Sequence, residues 1–299
     1  MDIENREIGD QLEELFSQTF TLFRSTPLVN FLQKKKKDII RSLQKKLVDI
    51  LDLKADRNIM GPPLINTLMD IQFQNMQIDD WEAVDPTQVA LEVTIKLWMK
   101  GQELPNIHRF IFLPATVKRK DPLDPATRDY PLILVNSKNI DVVNIVKEWL
   151  QLYFGCHITS LYVLGSTMSD LINWWAASLV RMKAFEKYSA LSEKNCLELT
   201  FEILTIQEIS TMTVQIPMNQ LIKMHRLIYG SKISILDFIY DYIYETTKIK
   251  VRNFSISRVG TPIAYISNKG QLKLLPNGFP RHQHIALLSE LNDLAGTLF

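Results

Sequence analysis

The stretch from Val89 to Met99 constrains the fold more than any other part of the chain. Val89, Leu91, Val93, Ile95, Leu97 and Met99 share one parity. Glu92, Thr94, Lys96 and Lys100 share the other, with Trp98 as an apolar exception. Side chains of a strand point alternately to its two faces, so this pattern predicts a strand with one apolar face and one wet or half-covered face. Such a strand belongs in an antiparallel sheet, because parallel strands are covered on both faces and read as unbroken apolar runs. HRFIFLP, residues 108–114, reads as its partner. Met69, Ile71 and Phe73 make a third strand, and a slip of phase near Asn75 reads as a bulge.

Helical patterns alternate with these strands. Leu12, Leu15 and Phe16 give a short apolar stripe. Over residues 33–53, Ile39, Ile40, Leu43, Leu47, Ile50 and Leu51 recur at helical spacing, and Gly61-Pro62-Pro63 then breaks the chain. PLILVN, 131–136, is a short buried strand. Asn139 is placed to cap a helix carrying Val142, Val146, Trp149 and Tyr153, and Gly155 to end it in the left-handed conformation. HITSLYVLG is extended. Thr167 and Asp170 have capping-box spacing ahead of Leu171, Trp174, Trp175, Leu179 and Met182, all expected to face a core.

The last third repeats the alternation. Leu197, Leu199, Phe201 and Ile203 form a strand, and MTVQIP is a further candidate. Ser234 and Asp237 open a helix with Asp237, Asp241 and Glu245 on its wet side. FSISRV, TPIAYIS and QLKLL read as three strands, the last entered through the turn Asn268-Lys269-Gly270. Ile285, Leu288 and Leu291 mark a terminal helix. The expected class is α+β with mainly antiparallel, twisted sheets flanked by helices. Three parts are expected: a helical segment over 1–60, a sheet-and-helix part over 61–190, and an α+β part over 191–299.

With 46% hydrophobic and 22% charged residues, a core of ordinary size is expected. Two cysteines, Cys156 and Cys196, are too few for a disulfide framework and suit a reducing compartment. The first residues are polar and acidic, unlike a secretory signal, and no run of about 18 uncharged apolar residues occurs. A soluble, intracellular protein is expected.

Signatures of catalysis are missing: no phosphate-binding loop, no paired-glycine fingerprint, no His-Glu-x-x-His and no Gly-x-Ser-x-Gly. Cys156 and His157 are adjacent in sequence, whereas catalytic pairs meet from separate segments. His282 and His284 lack a third metal ligand nearby. The expectation is a protein that is not an enzyme and has no cofactor, no metal and no small-molecule substrate.

Charge is more informative. The net charge is only +1, so an anionic partner requires a local patch. Lys34, Lys35, Lys36 and Lys37 sit where the dipole of a helix starting there disfavours positive charge. Either the helix starts nearer Asp38, or the lysines face something anionic, or the run is simply solvated. Between Thr246 and Arg281 stand Lys248, Lys250, Arg252, Arg258, Lys269, Lys273 and Arg281, with no carboxylate. A second cluster, Lys118, Arg119 and Lys120 with Arg128, lies in a Pro-rich loop. The candidate phosphate contacts are Lys118, Arg119, Lys120, Arg252, Arg258, Lys269 and Lys273, without base readout. Protection of strand edges by lysine is the alternative.

The order of segments resembles the centromere protein L family. TLFRSTPLVNF (21–31) resembles its early segment, and WLQLYFGC (149–156) followed by SLYVLG resembles its central helix and following strand. LELTFEI matches the strand after the Trp-rich helix. LDFIYDYIYETTKIKV through FSISRVGTPIAYISNKGQLKLL resembles its C-terminal helix and hairpins, and LLSELNDLA its last helix. Gly155 stands where an acidic residue is common, Ser160 where proline is frequent, and Thr205 to Pro217 reads as an insertion or extra strand. The resemblance implies a structural subunit of the inner kinetochore, in the nucleus at the centromere. It implies pairing with a centromere protein N homologue through the C-terminal sheet, alongside other inner-kinetochore subunits. It also implies sequence-independent contact with nucleosomal and linker DNA, no membrane, and a fold similar to that of a bacterial ring-shaped recombination-associated DNA-binding protein. A pure protein scaffold is the alternative. On this reading QLKLL is an edge strand, and Leu272, Leu274 and Leu275 are candidates for partner contact, unless the strand is internal.

Overall fold

The computed structural model describes residues 11–57, 68–98, 103–120, 123–184, 197–203, 210–231, 233–276 and 281–297. Met99, Lys100, Gly61-Pro62-Pro63, Cys196 and the side chain of Met182 lie outside the described residues. By contacts the chain divides into two compact units, residues 1–161 with 284–299, and residues 162–283.

The first unit opens with a 3-10 turn, Gln11–Leu15, whose Leu12 and Leu15 are buried. It continues through β1 (Thr19–Ser25), α1 (Lys36–Arg57), β2 (Leu68–Met76), β3 (Ala90–Trp98), β4 (Asn106–Leu113), β5 (Leu132–Asn136), α2 (Ile140–Phe154) and β6 (Ile158–Ser160). The strand order is β2-β3-β4-β5-β1, with β6 also on β1, and every pairing is antiparallel. The core gathers Ile39, Leu43 and Leu47 of α1, Val142, Val146 and Trp149 of α2, and Val93, Ile95, Phe110 and Phe112 of the sheet. The two helices are also tied by the Trp149 indole N–H, which donates to Ser42 Oγ at 3.0 Å.

Local signals set the ends of α2. The Asn139 side chain accepts from the backbone N–H groups of Asp141 and Val142, and Gly155 closes the helix at φ 64°. The β2–β3 register runs unbroken from Leu68↔Trp98 to Met76↔Ala90, so no bulge stands at Asn75. The phase slip has a different cause: Met76 is buried out of step with Ile71 and Phe73. Of the face expected to be wet, Glu92 is covered, at 2% exposure. Strand β1 carried no period-two signal because residues of both parities are buried, Phe20 and Leu22 on one and Phe23 and Ser25 on the other.

The second unit contains α3 (Gly165–Ala184), β7 (Leu197–Glu202), β8 (Thr211–Ile216), α4 (Met218–Ile228), α5 (Ile235–Thr247), β9 (Ser255–Gly260), β10 (Ala264–Ser267) and β11 (Gln271–Leu274). Its strand order is β11-β10-β9-β7-β8, again antiparallel. A register shift at Thr200/Phe201, between β7 and β9, is the irregularity here. Helix α3 begins at Gly165, two residues ahead of Thr167, and α4 is a helix that periodicity does not single out. Trp175 is fully buried and Trp174 half-buried. Ser234 Oγ accepts from the Asp237 N–H at 3.0 Å and donates to its carboxylate at 2.7 Å, starting α5 as expected. Gly270, at φ 72°, makes the turn into β11.

The terminal helix α6 (Arg281–Thr297) counts with the first unit from His284 onward. Asn292 donates to the Pro114 carbonyl at 2.7 Å, Asp293 accepts from Thr116 Oγ1, and the His284 and Phe16 rings lie 4.7 Å apart. The class is α+β with antiparallel sheet, as expected from the sequence. Among the described residues no helix is long and apolar enough to cross a membrane.

Candidate partner and nucleic-acid interface

The loop cluster is split in its roles. Arg119 grips Asp129 with both branches of its guanidinium, Nε to Oδ2 at 2.6 Å and the terminal nitrogen to Oδ1 at 3.0 Å. Arg128 pairs with Asp85 at 3.2 Å. The loop is further pinned by Gln88, which donates to the Asp129 carbonyl at 2.5 Å, and by backbone bonds between Leu28 and Arg128. Arg119 and Arg128 therefore hold the loop's shape. Lys118 and Lys120 are exposed, at the rim of a cleft of about 410 Å³ that also carries Asp85, Asp124 and Asp129.

The late basic stretch looks different in space. Its carboxylate partners come from outside the sequence window. Arg252 lies 3.1 Å from Asp237 and 3.7 Å from Asp241 of α5, and its guanidinium faces the Tyr240 ring at 5.4 Å. Arg258 bonds Glu198 of β7 at 2.8 Å and faces the Tyr265 ring at 5.6 Å. Gln215 of β8 holds the other oxygen of Glu198 at 3.1 Å. Lys248 pairs with Glu245 at 3.2 Å. Lys250, Lys269 and Lys273 are exposed, with no acidic partner among the described residues. The stretch is thus partly neutralised, although exposed pairs of this kind are worth only about 0–1 kcal/mol.

Arg258, Glu198, Tyr265 and Lys273 share one face of the second sheet. Glu198, Gly260, Tyr265 and Lys273 lie in register across four strands, and Thr200, Arg258 and Ser267 form the next row. Leu199, Val259, Ile266, Leu272 and Leu274 point to the opposite, buried side. Leu272 and Leu274 thus pack into the fold at 0% exposure, while Leu275 is half-buried and its N–H donates to the Ile263 carbonyl at 2.9 Å. A contact made by those two leucine side chains with a partner is not available in this arrangement.

The free end of the row is β8. It pairs with β7 from Thr211↔Glu202 to Ile216↔Leu197, and among the described residues no strand lies beyond it. Thr211, Thr213 and Gln215 are exposed and Met212 and Val214 half-exposed. An edge with open backbone donors and acceptors is a template for a further strand. The sequence marks Thr205 to Pro217 as an insertion or an extra strand; that β8 ends the sheet among the described residues follows from the pairing of β7 with β9.

No described group of side chains could hold a metal ion. Cys156 is buried, and burial pushes its thiol up to about 11. His108 is buried with Nδ1 2.8 Å from Ser137 Oγ, and burial lowers its pKa. A family model described as Centromere protein L matches residues 14–295. No curated protein matches the chain.

Proposed function

The chain belongs to the centromere protein L family, a family of structural inner-kinetochore subunits rather than enzymes, and on that premise we propose that it pairs with a centromere protein N homologue through its C-terminal sheet and helps grip centromeric DNA. Membership implies association with other inner-kinetochore subunits and a place on the chromosome in the nucleus.

The observation that supports the pairing is the open edge at β8. Strand addition there satisfies backbone groups on both chains and extends the five-strand row. The test is co-expression with the partner. Thr211, Thr213 and Gln215 are exposed, so changing all three to Lys charges the edge without entering the core. Co-purification should be lost while the melting temperature stays within a few degrees. Undiminished pairing moves the interface off β8.

The DNA reading rests on Lys118, Lys120, Lys269 and Lys273, exposed lysines with no acidic partner among the described residues. Contacts of this kind release counterions, so affinity falls with salt and ignores base sequence. The scaffold reading draws on the pairing of Arg119, Arg252 and Arg258 with carboxylates. A salt series on the reconstituted pair, with Lys118, Lys120, Lys269 and Lys273 changed to Ala, separates the two. A flatter slope supports DNA contact; an unchanged slope and affinity favour the scaffold.

A further inference from the structure

We propose that the outer face of α1 is a second surface for a nucleic-acid backbone, with Lys37, Arg41 and Lys45 along its length and Lys35 and Lys36 at its start. The proposal rests on the reading that this chain works on DNA, and it places a contact in the first unit, on residues outside the loop cluster and the late basic stretch.

From Lys34 to Val48 the sequence has seven basic residues and one acidic residue, Asp38. Unlike the late stretch, this segment keeps most of its charge in the fold. Lys34 turns inward to the Tyr153 carbonyl, and Lys46 pairs with Glu148 at 3.1 Å. Lys35, Lys36, Lys37, Arg41 and Lys45 remain, all exposed and none with a partner among the described residues.

Helix geometry orders these charges. Ile39, Leu43 and Leu47 are buried and fix the rotation of α1. Lys37, Arg41 and Lys45, four residues apart, therefore form an outward row, each about 6 Å along the axis from the next. The row is held by a packed helix and does not depend on a loop. Along the same face, among the described side chains, the exposed carboxylates are Asp38 and Asp49, and the exposed apolar side chain is Val48.

That composition selects the partner. Protein interfaces are centred on aromatic and apolar anchors and are poor in lysine. A row of cations with almost no apolar surface matches a repeating anion, and phosphates are the repeating anions of DNA. Nothing on the row reads bases, so the contact positions the duplex and does not select a sequence.

The experiment uses the full chain reconstituted with its partner and two unrelated 30-base-pair duplexes, titrated across a salt series. Changing Lys37, Arg41 and Lys45 to Ala should flatten the slope of log K against log salt by about 2–3 units, close to 0.9 per contact. Lys37→Arg with Lys45→Arg should leave the slope unchanged, since charge and not side-chain shape is used. Circular dichroism melts of all variants check the fold. If the wild-type pair binds and the α1 variant binds equally well, the inference is overturned while the DNA reading stands. If the wild-type pair does not bind duplex at 50 mM salt, both fall. If the α1 variant loses binding to poly-glutamate but not to DNA, the surface is for an acidic protein and the inference is likewise overturned.

Discussion

The Lys34 ammonium donates to the Tyr153 carbonyl at 2.6 Å and stands 3.7 Å from the centroid of the Tyr153 ring. One interaction thus joins the segment that starts α1 to the end of α2. Carbonyls in the last turn of a helix lack intrahelical partners and carry partial negative charge, so a cation there is favoured. The same ammonium gains from the ring face.

Four consecutive lysines should therefore behave unequally. Lys34→Ala is expected to lower stability by about 1–2 kcal/mol, from the lost cap and the lost cation–ring contact. Lys35→Ala, Lys36→Ala and Lys37→Ala should each change it by less than about 0.5 kcal/mol, as exposed side chains without partners do. Urea midpoints of the four variants test this. Equal midpoints would remove Lys34 from the role given to it.

Glu92 gives the first unit a dependence on acid. Burial pushes its carboxyl up, but hydrogen bonds from Arg109 at 2.5 Å and Gln74 at 2.8 Å outweigh that and hold it below the usual range. A carboxyl whose folded pKa is depressed contributes stability above its unfolded pKa, near 4.3, and loses it as pH falls through the folded value. Glu92→Gln should cost on the order of 3 kcal/mol at pH 7, since it leaves Arg109 with one charge fewer in a buried site. The gap between variant and wild type should narrow as pH falls from 5 to 3. Thermal melts across that range provide the measurement, and a constant gap would contradict the assignment.

Gly260 carries the Tyr265 ring directly over its α-carbon, so that a β-carbon at 260 would overlap ring atoms Cδ1 and Cε1. Gly260→Ala must push the ring away from Gly260 and disturb its contact with the Arg258 guanidinium. A loss of about 1–3 kcal/mol is expected, the usual range for overpacking. Tyr265→Ala, which removes the obstacle, should make the second substitution at Gly260 nearly neutral. A double-mutant cycle in denaturant measures that coupling, and additive losses would show that the ring is not the cause.

Trp174 and Trp175 are neighbours with different surroundings. Trp175, at 0% exposure, should cost about 3–5 kcal/mol when changed to Ala, and half-buried Trp174 clearly less. Equal melting temperatures for the two variants would place the α3 stripe wrongly.

Much of the fold was legible because its causes are local. The alternation in β3, the cap at Asn139, the stop at Gly155 and the start at Ser234 each depend on residues within a few positions of one another. Strand β1 was not legible, because burial of residues of both parities erases the alternation that marks a strand. Nor was the joining of α6 to the first unit, which follows from contacts such as Asn292 with Pro114.

The candidate site divides along the same line. The places where positive charge gathers can be read directly along the chain: Lys34–Lys37, Lys118–Lys120, and the stretch between Thr246 and Arg281. Which basic side chains remain available is set by folding. Arg258 is matched by Glu198, 60 positions away, Arg252 by two carboxylates of α5, and Lys34 by a carbonyl 119 positions on, while Lys37, Arg41 and Lys45 stay exposed without a partner among the described residues. The physical reason is that exposed charges act through space, over a screening distance of about 10 Å at 0.1 M salt. A window of sequence holds the residues next along the chain, and folding brings in the carboxylates that lie outside it.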